Sequence, residues 1–505
     1  MRRLAFLLLV PALGCGRPAA APVADDAPPP DEVIGRVLAG DSPVEGARVR
    51  LKATAHAATT DAHGRFRLPR PDGAGRVTAW KDGFLIAGAG LDADPLDLRL
   101  TPLPAADHDG YQWVDPAPKD GAAQNCANCH ADIYKEWAAS GHARSASGRR
   151  FRNLYEGTNW DGDSGVGWGL LNEHPVGAGV CAACHAPALP DDDSAQFDLR
   201  ELRGVAARGV HCDYCHKVSA VGDGKLGLTF GRYNLRLLRP GEGQLFFGPL
   251  DDVDRGEDAY SPLYHESRYC ASCHEGVVFG VPVYTTYSEW LDSPARRDGK
   301  QCQDCHMAPT GKMTNVAPSR GGVERDPKTL ANHRFFDGGQ DEMLRKCLNA
   351  EAGWQSGDDE TRLTVRLRAD GAGHRVPTGF IDRHLILTVA GEDAAGRPLA
   401  VRSGPTLPAA AGKDLAGKPG KLYAKLLKDF DGHSPAPFWR ADPDADDTRL
   451  EPGRADEAEF AFPPGLARAH VRVIYRRFWD EVVRAKGWPD RDLTVLDRAF
   501  TPPAP

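Results

Sequence analysis

The chain runs to 505 residues, 26% of them charged, with a net charge of −8 and a pI near 6.1. That length leaves room for about three domains, and the acidic balance offers nothing to nucleic acid. Twelve cysteines are present, but ten fall in one recurring pattern, so no disulfide framework is needed to account for them.

The first residues read as an export signal. Arg2 and Arg3 form a charged start, and Leu4 to Val10 make an apolar run too short to span a bilayer. The run ends in Ala12-Leu13-Gly14-Cys15, which resembles a bacterial lipobox, although Ala12 stands where Leu is preferred. Residues 1–15 are then a signal peptide, and Cys15 becomes the lipid-carrying first residue of the mature chain. The alternative is an ordinary cleaved signal with a stray cysteine. Gly16 rather than an Asp after Cys15 favours the outer membrane. Residues 16–32 are Ala- and Pro-rich, a linker able to hold a globular body away from a membrane.

A compact β pattern follows over residues 33–103. Val33 to Val37, Ala47 to Leu51, Arg65 to Leu68, Arg76 to Trp80 and Leu96 to Leu100 read as short strands, several alternating apolar and polar. With its Pro43-Val44-Glu45-Gly46-Ala47 turn, this stretch resembles the carboxypeptidase regulatory-like, transthyretin-like sandwich, which implies a spacer or adhesion module. Asp61, His56 and His63 read as turn and surface residues rather than metal ligands.

Between residues 105 and 343 the strand signals fade, and Gly, Pro and Asp are frequent. Here Cys-x-x-Cys-His occurs five times: Cys126-Cys129-His130, Cys181-Cys184-His185, Cys212-Cys215-His216, Cys270-Cys273-His274 and Cys302-Cys305-His306. This is the attachment pattern of haem c. Two thiols three residues apart can add to the two vinyl groups of one porphyrin, and the following His then binds the iron. Zinc ribbons and redox dithiols also use Cys-x-x-Cys, but neither requires His after every second cysteine. Five covalent haem c groups are therefore expected, and they would form most of this segment's core, so that it should not fold without them. Their ten propionates would make the protein more acidic still and favour salt-sensitive docking to basic redox partners.

The spacing of the motifs alternates long and short, and Tyr134-Lys135-Glu136-Trp137-Ala138-Ala139-Ser140 is echoed by Tyr287-Ser288-Glu289-Trp290-Leu291-Asp292-Ser293. The first copy follows a motif and the second precedes one, so a simple tandem repeat is not supported. Trp137 and Trp290 are candidates to pack on porphyrin faces, and Arg144, Arg149, Arg150, Lys217 and Arg232 to pair with propionates.

The face of each iron opposite its motif His decides function. Beyond Met1 only Met307, Met313 and Met343 exist, so His/Met ligation is scarcely available and low-potential bis-His haems are expected. His142, on a helix expected just after His130, His333 ahead of a Gly pair, and His374 in Gly373-His374-Arg375-Val376-Pro377 are the foremost distal candidates. His174, His211 and His265 are weaker, and His384 and His433 read as structural. Five irons facing three good candidates leave room for a five-coordinate haem, where catalysis can occur. Cys347 reads as buried and inert.

The motif series, the Tyr-x-x-Trp-x-x-Ser-x-His element ending at His142, and Cys302-Gln303-Asp304-Cys305-His306-Met307 together resemble the cytochrome c-554/c-prime family. The resemblance covers about residues 105–340 and implies electron carriage. Relatives that act on nitrogen and sulfur oxyanions keep an enzymatic alternative open. Five motifs and two flanking β modules depart from the pattern, so substrate specificity does not carry over.

After Glu360 strands return. Leu363 to Leu367 alternates, His384 to Val389 is more evenly apolar, and Phe460 to Phe462 and Val471 to Tyr475 follow, suggesting a second sandwich over residues 358–478. Residues 479–505 read as a short helix and a loose tail. The expected fold is therefore multidomain: a small N-terminal β-sandwich, a central, mainly α and irregular haem-packed domain, and a C-terminal β-sandwich-like domain. The function expected is that of an exported pentahaem carrier, periplasmic or on the outer membrane of a Gram-negative-type bacterium. The alternative is an oxidoreductase for a small nitrogen or sulfur compound, or a docking subunit built on the β modules.

Overall fold

The computed structural model describes residues 32–73, 75–121, 125–176, 178–189, 197–335, 341–489 and 492–503. The signal, Cys15 and all but the last residue of the linker lie outside the described residues.

Alternating strands build the N-terminal sandwich. Glu32–Ala39 pairs with Ser42–Pro43, Arg65–Pro69 and, in parallel, Asp97–Arg99, while Arg48–Leu51 and Arg76–Trp80 lie between Ala57–Thr59 and Ala87–Gly90. Val33, Val37, Val49, Leu51, Phe66, Leu68, Val77 and Leu98 fill the space between the two sheets. Asp61 Oδ1 accepts the backbone N–H groups of His63 and Arg65, which makes it the turn residue its context implied.

This sandwich is clamped to the middle of the chain by an acidic loop. Asp251 pairs with Arg48 and Arg50, Asp254 with Lys52 and Arg76, and Asp252 Oδ2 accepts the Ala53 N–H at 2.7 Å. Gly88 permits the approach, because a Cβ there would sit 1.9 Å from Asp254 Oδ2.

The middle segment has no helix longer than eight residues among those described, and three two-stranded ribbons connect them. Its short helices carry the motifs: Ala182–His185, Cys212–Cys215, Ser267–His274 and Cys302–His306, with a 3-10 turn at Cys126–Asn128. His142 is not on the helix after His130. That helix, Ala131–Ala138, ends first, and His142 begins a separate 3-10 turn, His142–Arg144.

The C-terminal sandwich is longer than expected at both ends. Leu348–Ser356 joins Thr361–Ala369 and Ala455–Phe462 in one sheet. In the other, His384–Glu392 pairs with Pro398–Leu399, Gly420–Tyr423 and Arg468–Arg476, and Leu493–Phe500 pairs with Arg468–Arg476. The helix expected after Trp479 exists, at Asp480–Lys486, but the supposed loose tail beyond it is a sheet strand. Leu493–Phe500 keeps only a weak apolar alternation, and its pairing with Arg468–Arg476 supplies what its sequence lacks.

His384–Glu392 is evenly apolar because both its faces are covered. Leu385 and Leu387 point between the sheets with Phe460 and Val471, whereas Ile386 packs with Ala182, Ala186, Leu154 and Trp479 of the outer cluster. The strand thus seats the sandwich on the motif at Cys181.

Candidate functional site

No two of the described cysteines form a disulfide, and those of the motifs converge. Cys126 meets Cys212, Cys270 meets Cys302, and Cys184 meets Cys273, each pair in hydrogen-bonding contact. The contacts join the first motif to the third and the second, fourth and fifth to one another, and Cys215 lies close enough to Cys273 to feel its charge, which brings the two groups together.

The motif histidines are set up as ligands. Nδ1–H of His130, His185 and His216 donates to the carbonyls of Val316, Ser145 and Phe247 at 2.8, 2.7 and 2.6 Å. That bond fixes the tautomer and leaves Nε2 for a metal. Burial pushes the pKa of each of these rings down, and that of His274 to about 3, so the imidazoles stay neutral, the form that binds iron.

Two of the expected distal histidines face motif histidines. The rings of His142 and His274 have centroids 6.2 Å apart, as do those of His306 and His374. Two imidazoles sharing one metal through bonds of about 2 Å hold their centroids roughly 6 Å apart. His374 Nδ1–H donates to the Arg375 carbonyl at 2.9 Å, again leaving Nε2. His333 is half-buried beside His216 and His130, and desolvation takes its pKa to about 3. The donor set and these spacings fit haem c at the motifs, with porphyrin chemistry supplying the redox change.

The two Tyr-x-Glu-Trp elements prove equivalent in space. In each the Tyr ring packs on the Trp ring, at 5.7 Å for Tyr134–Trp137 and 5.4 Å for Tyr287–Trp290. Each indole donates at 2.9 Å to a carbonyl two residues ahead of a motif, Val210 before Cys212 and Lys300 before Cys302. Each Glu holds a distal segment: Glu136 accepts the His333 N–H and Glu289 the Thr378 hydroxyl, both at 2.8 Å. Glu289 also pairs with the buried Arg449 at 2.7 Å. The repeat obscured in sequence is thus a pair of motifs flanking one element, with the Cys181–His185 motif inserted in the first copy. The recurring Glu was the signal that could have revealed these positioning residues.

Other candidates go elsewhere. Lys217 is fully buried and committed to Asp213, with Tyr111 on the same carboxylate, so it is not a propionate partner. Arg149 lies over the Trp160 ring, and Arg144 donates to the Ala139 carbonyl. His211 caps Cys212–Cys215 by accepting the Tyr214 N–H at 3.3 Å. His265 is exposed and donates to the Pro249 carbonyl at 3.1 Å, and His174 packs against Phe279. His433 pairs with Asp429 on the surface. Cys347 is half-buried, and desolvation raises its pKa to about 11.

Repeated haem-attachment motifs on short helices, neutral imidazoles and paired histidines define a multihaem c-type cytochrome. Residues 125–217, which span the first three motifs, match the family model Cytochrome c554 and c-prime. The fold is similar to that of a penta-haem cytochrome c552 from Thermochromatium tepidum, with TM-score 0.55 and 22% identity over 74% of this chain and 97% of that one. No curated protein matches the chain. Among the described residues no helix is long and apolar enough to cross a membrane.

Proposed function

We propose that the protein carries five haem c groups and passes electrons along them, outside the cytoplasm, between redox partner proteins. The observation that carries this reading is the convergence of the five motifs, two groups joined by thiol contacts and brought together where Cys215 lies near Cys273, which places covalently held porphyrin edges in one cluster. His142 serves opposite His274 and His374 opposite His306. His333 serves opposite His216, because its segment hangs on Glu136 as that of His374 hangs on Glu289. Mostly bis-His ligation gives low potentials.

Export follows the signal at the N-terminus, and Cys15 supplies a lipid anchor at the periplasmic or outer-membrane face. The N-terminal sandwich acts as a carboxypeptidase regulatory-like spacer between that anchor and the haem chain. Haem quantitation per polypeptide with a stepwise redox titration tests the core of this reading. Five haems, reduced at low potentials and oxidised by a second cytochrome, are expected; fewer than five, or none exchanging electrons with a partner, overturns it.

A further inference from the structure

Between the first and second motifs the chain makes a tight knot around one side chain. Ser145 closes the 3-10 turn His142–Arg144, its backbone N–H donating to the His142 carbonyl at 3.3 Å. The Ser145 carbonyl accepts Nδ1–H of His185 at 2.7 Å. The residue that finishes the His142 turn therefore also orients a motif histidine 40 residues further on.

The Ser145 hydroxyl draws in the rest. It lies 2.8 Å from the His185 carbonyl and 3.0 Å from the His142 carbonyl, within donating distance of both, and its Oγ accepts the Val210 N–H at 3.2 Å. That N–H also reaches the His142 carbonyl, at 3.1 Å, and the Val210 carbonyl takes the Trp137 indole. The fit is close. Gly209 has φ +70°, and a Cβ there would lie 2.4 Å from Ser145 Oγ and 2.6 Å from the His142 carbonyl oxygen. Distal His142, motif His185 and the approach to Cys212 thus share one partner, whereas the Val316 and Phe247 carbonyls each hold one motif histidine.

We propose that Ser145 is a positioning residue for two haem sites at once, fixing the ring of His142 opposite His274 and the ring of His185 at its own motif. The partners of a ligand's backbone and of its second ring nitrogen set the plane in which the imidazole meets the iron, and the Nδ1–H bond tunes how much charge the ring gives it. A shift of Ser145 therefore reaches both irons. These are also the two motifs whose thiols, Cys184 and Cys273, meet, so one residue holds a ligand of each of two neighbouring haems. The inference rests on the pentahaem reading above and its assignment of His142 to the His274 haem.

An EPR-monitored redox titration of the purified holoprotein tests it, with His142→Ala as the control for ligation. In His142→Ala one low-spin signal should become high-spin; if none does, the ligand assignment falls and this inference falls with it. Ser145→Ala removes the hydroxyl and keeps the carbonyl. Two of the ferric signals should then shift in g value and midpoint potential, one of them the signal that His142→Ala abolishes. Haem content and the remaining signals should stay at their parent values. Gly209→Ala, which drives a methyl group against the same hydroxyl, should move the same two signals, and Ser145→Thr, which keeps the hydroxyl, should move neither. Shifts that are absent, confined to one signal, spread over the remaining signals, or equal in Ser145→Ala and Ser145→Thr overturn the proposal. With His142→Ala behaving as expected, each of these results leaves the ligand assignment and electron conduction standing.

Discussion

The C-terminal sandwich and the segment it sits on bury very different things. Between its sheets lie Leu363, Val365, Leu367, Leu385, Leu387, Phe460, Phe462, Val471 and Val473, all fully enclosed hydrocarbon. The motif segment instead gathers imidazoles, thiols and a Lys217–Asp213 ion pair, held by short helices and carbonyl contacts. One region carries its own driving force in side-chain burial. The other has arranged polar ligands around something the chain does not encode as side chains, as small metal domains do.

The sharpest way to break this comparison is to withhold the haem. In chain made without haem attachment, limited proteolysis should digest residues 105–343 and leave fragments containing residues 32–103 and 348–503. A protected middle segment would show that its own side chains suffice. Next in size is the removal of a positioning carboxylate. Glu289→Ala strips one of two carboxylate partners from Arg449, leaving Asp447, and the Glu289 and Arg449 side chains are both 7% exposed. Breaking a buried pair costs about 3–5 kcal/mol, and the remaining Asp447 contact puts this loss near the lower end, about 3 kcal/mol. Glu136→Ala removes one backbone hydrogen bond at His333 and should cost about 1–3 kcal/mol. In both, magnetic circular dichroism should show one low-spin haem losing its distal histidine. Equal, unshifted spectra would separate these carboxylates from ligation.

The clamp on the N-terminal sandwich is smaller still. Asp254 joins Lys52 and Arg76 with only 3% of its own side chain exposed. Asp254→Ala should loosen the sandwich by about 1–3 kcal/mol, read as faster hydrogen exchange at Ile86 and Ala53, which bond across the joint, with the haem spectrum unchanged.

Much of this was legible beforehand because covalent chemistry is local. Cys-x-x-Cys-His declares itself within five residues, and short alternating strands such as Arg65–Pro69 carry their burial in their period. His142 and His374 were legible as ligand candidates, but which motif histidine each would face, His274 and His306, was not, since pairing depends on tertiary approach. The equivalence of the two Tyr-x-Glu-Trp elements was hidden because the inserted motif at Cys181 separates the first element from the motif it supports. Asp382 escaped notice altogether. Nothing adjacent to it marks a buried carboxyl, and only the loop from His374 to His384, running along the haem segment, places it there.

That same loop allows the finest test of the comparison. Asp382 and His384 are two residues apart, and burial shifts them in opposite directions, Asp382 up to about 7 and His384 down to about 4. A carboxyl that keeps its proton in the folded state makes stability fall as pH rises from near 4 to 7, because the unfolded chain has already released that proton. A histidine held neutral in the folded state does the reverse between about 4 and 6.5, because the unfolded chain binds the extra proton. In the parent the two slopes oppose each other across nearly the same window. Asp382→Asn removes one and leaves the other, so the variant should gain stability over the parent as pH rises from 4 to 7. The gain should be at most about 1.4 kcal/mol per pH unit. Thermal unfolding of both proteins across that range measures it. Parallel curves would mean that Asp382 is ionised in the fold, and the buried loop would then belong with the solvated surface rather than with the haem segment it covers.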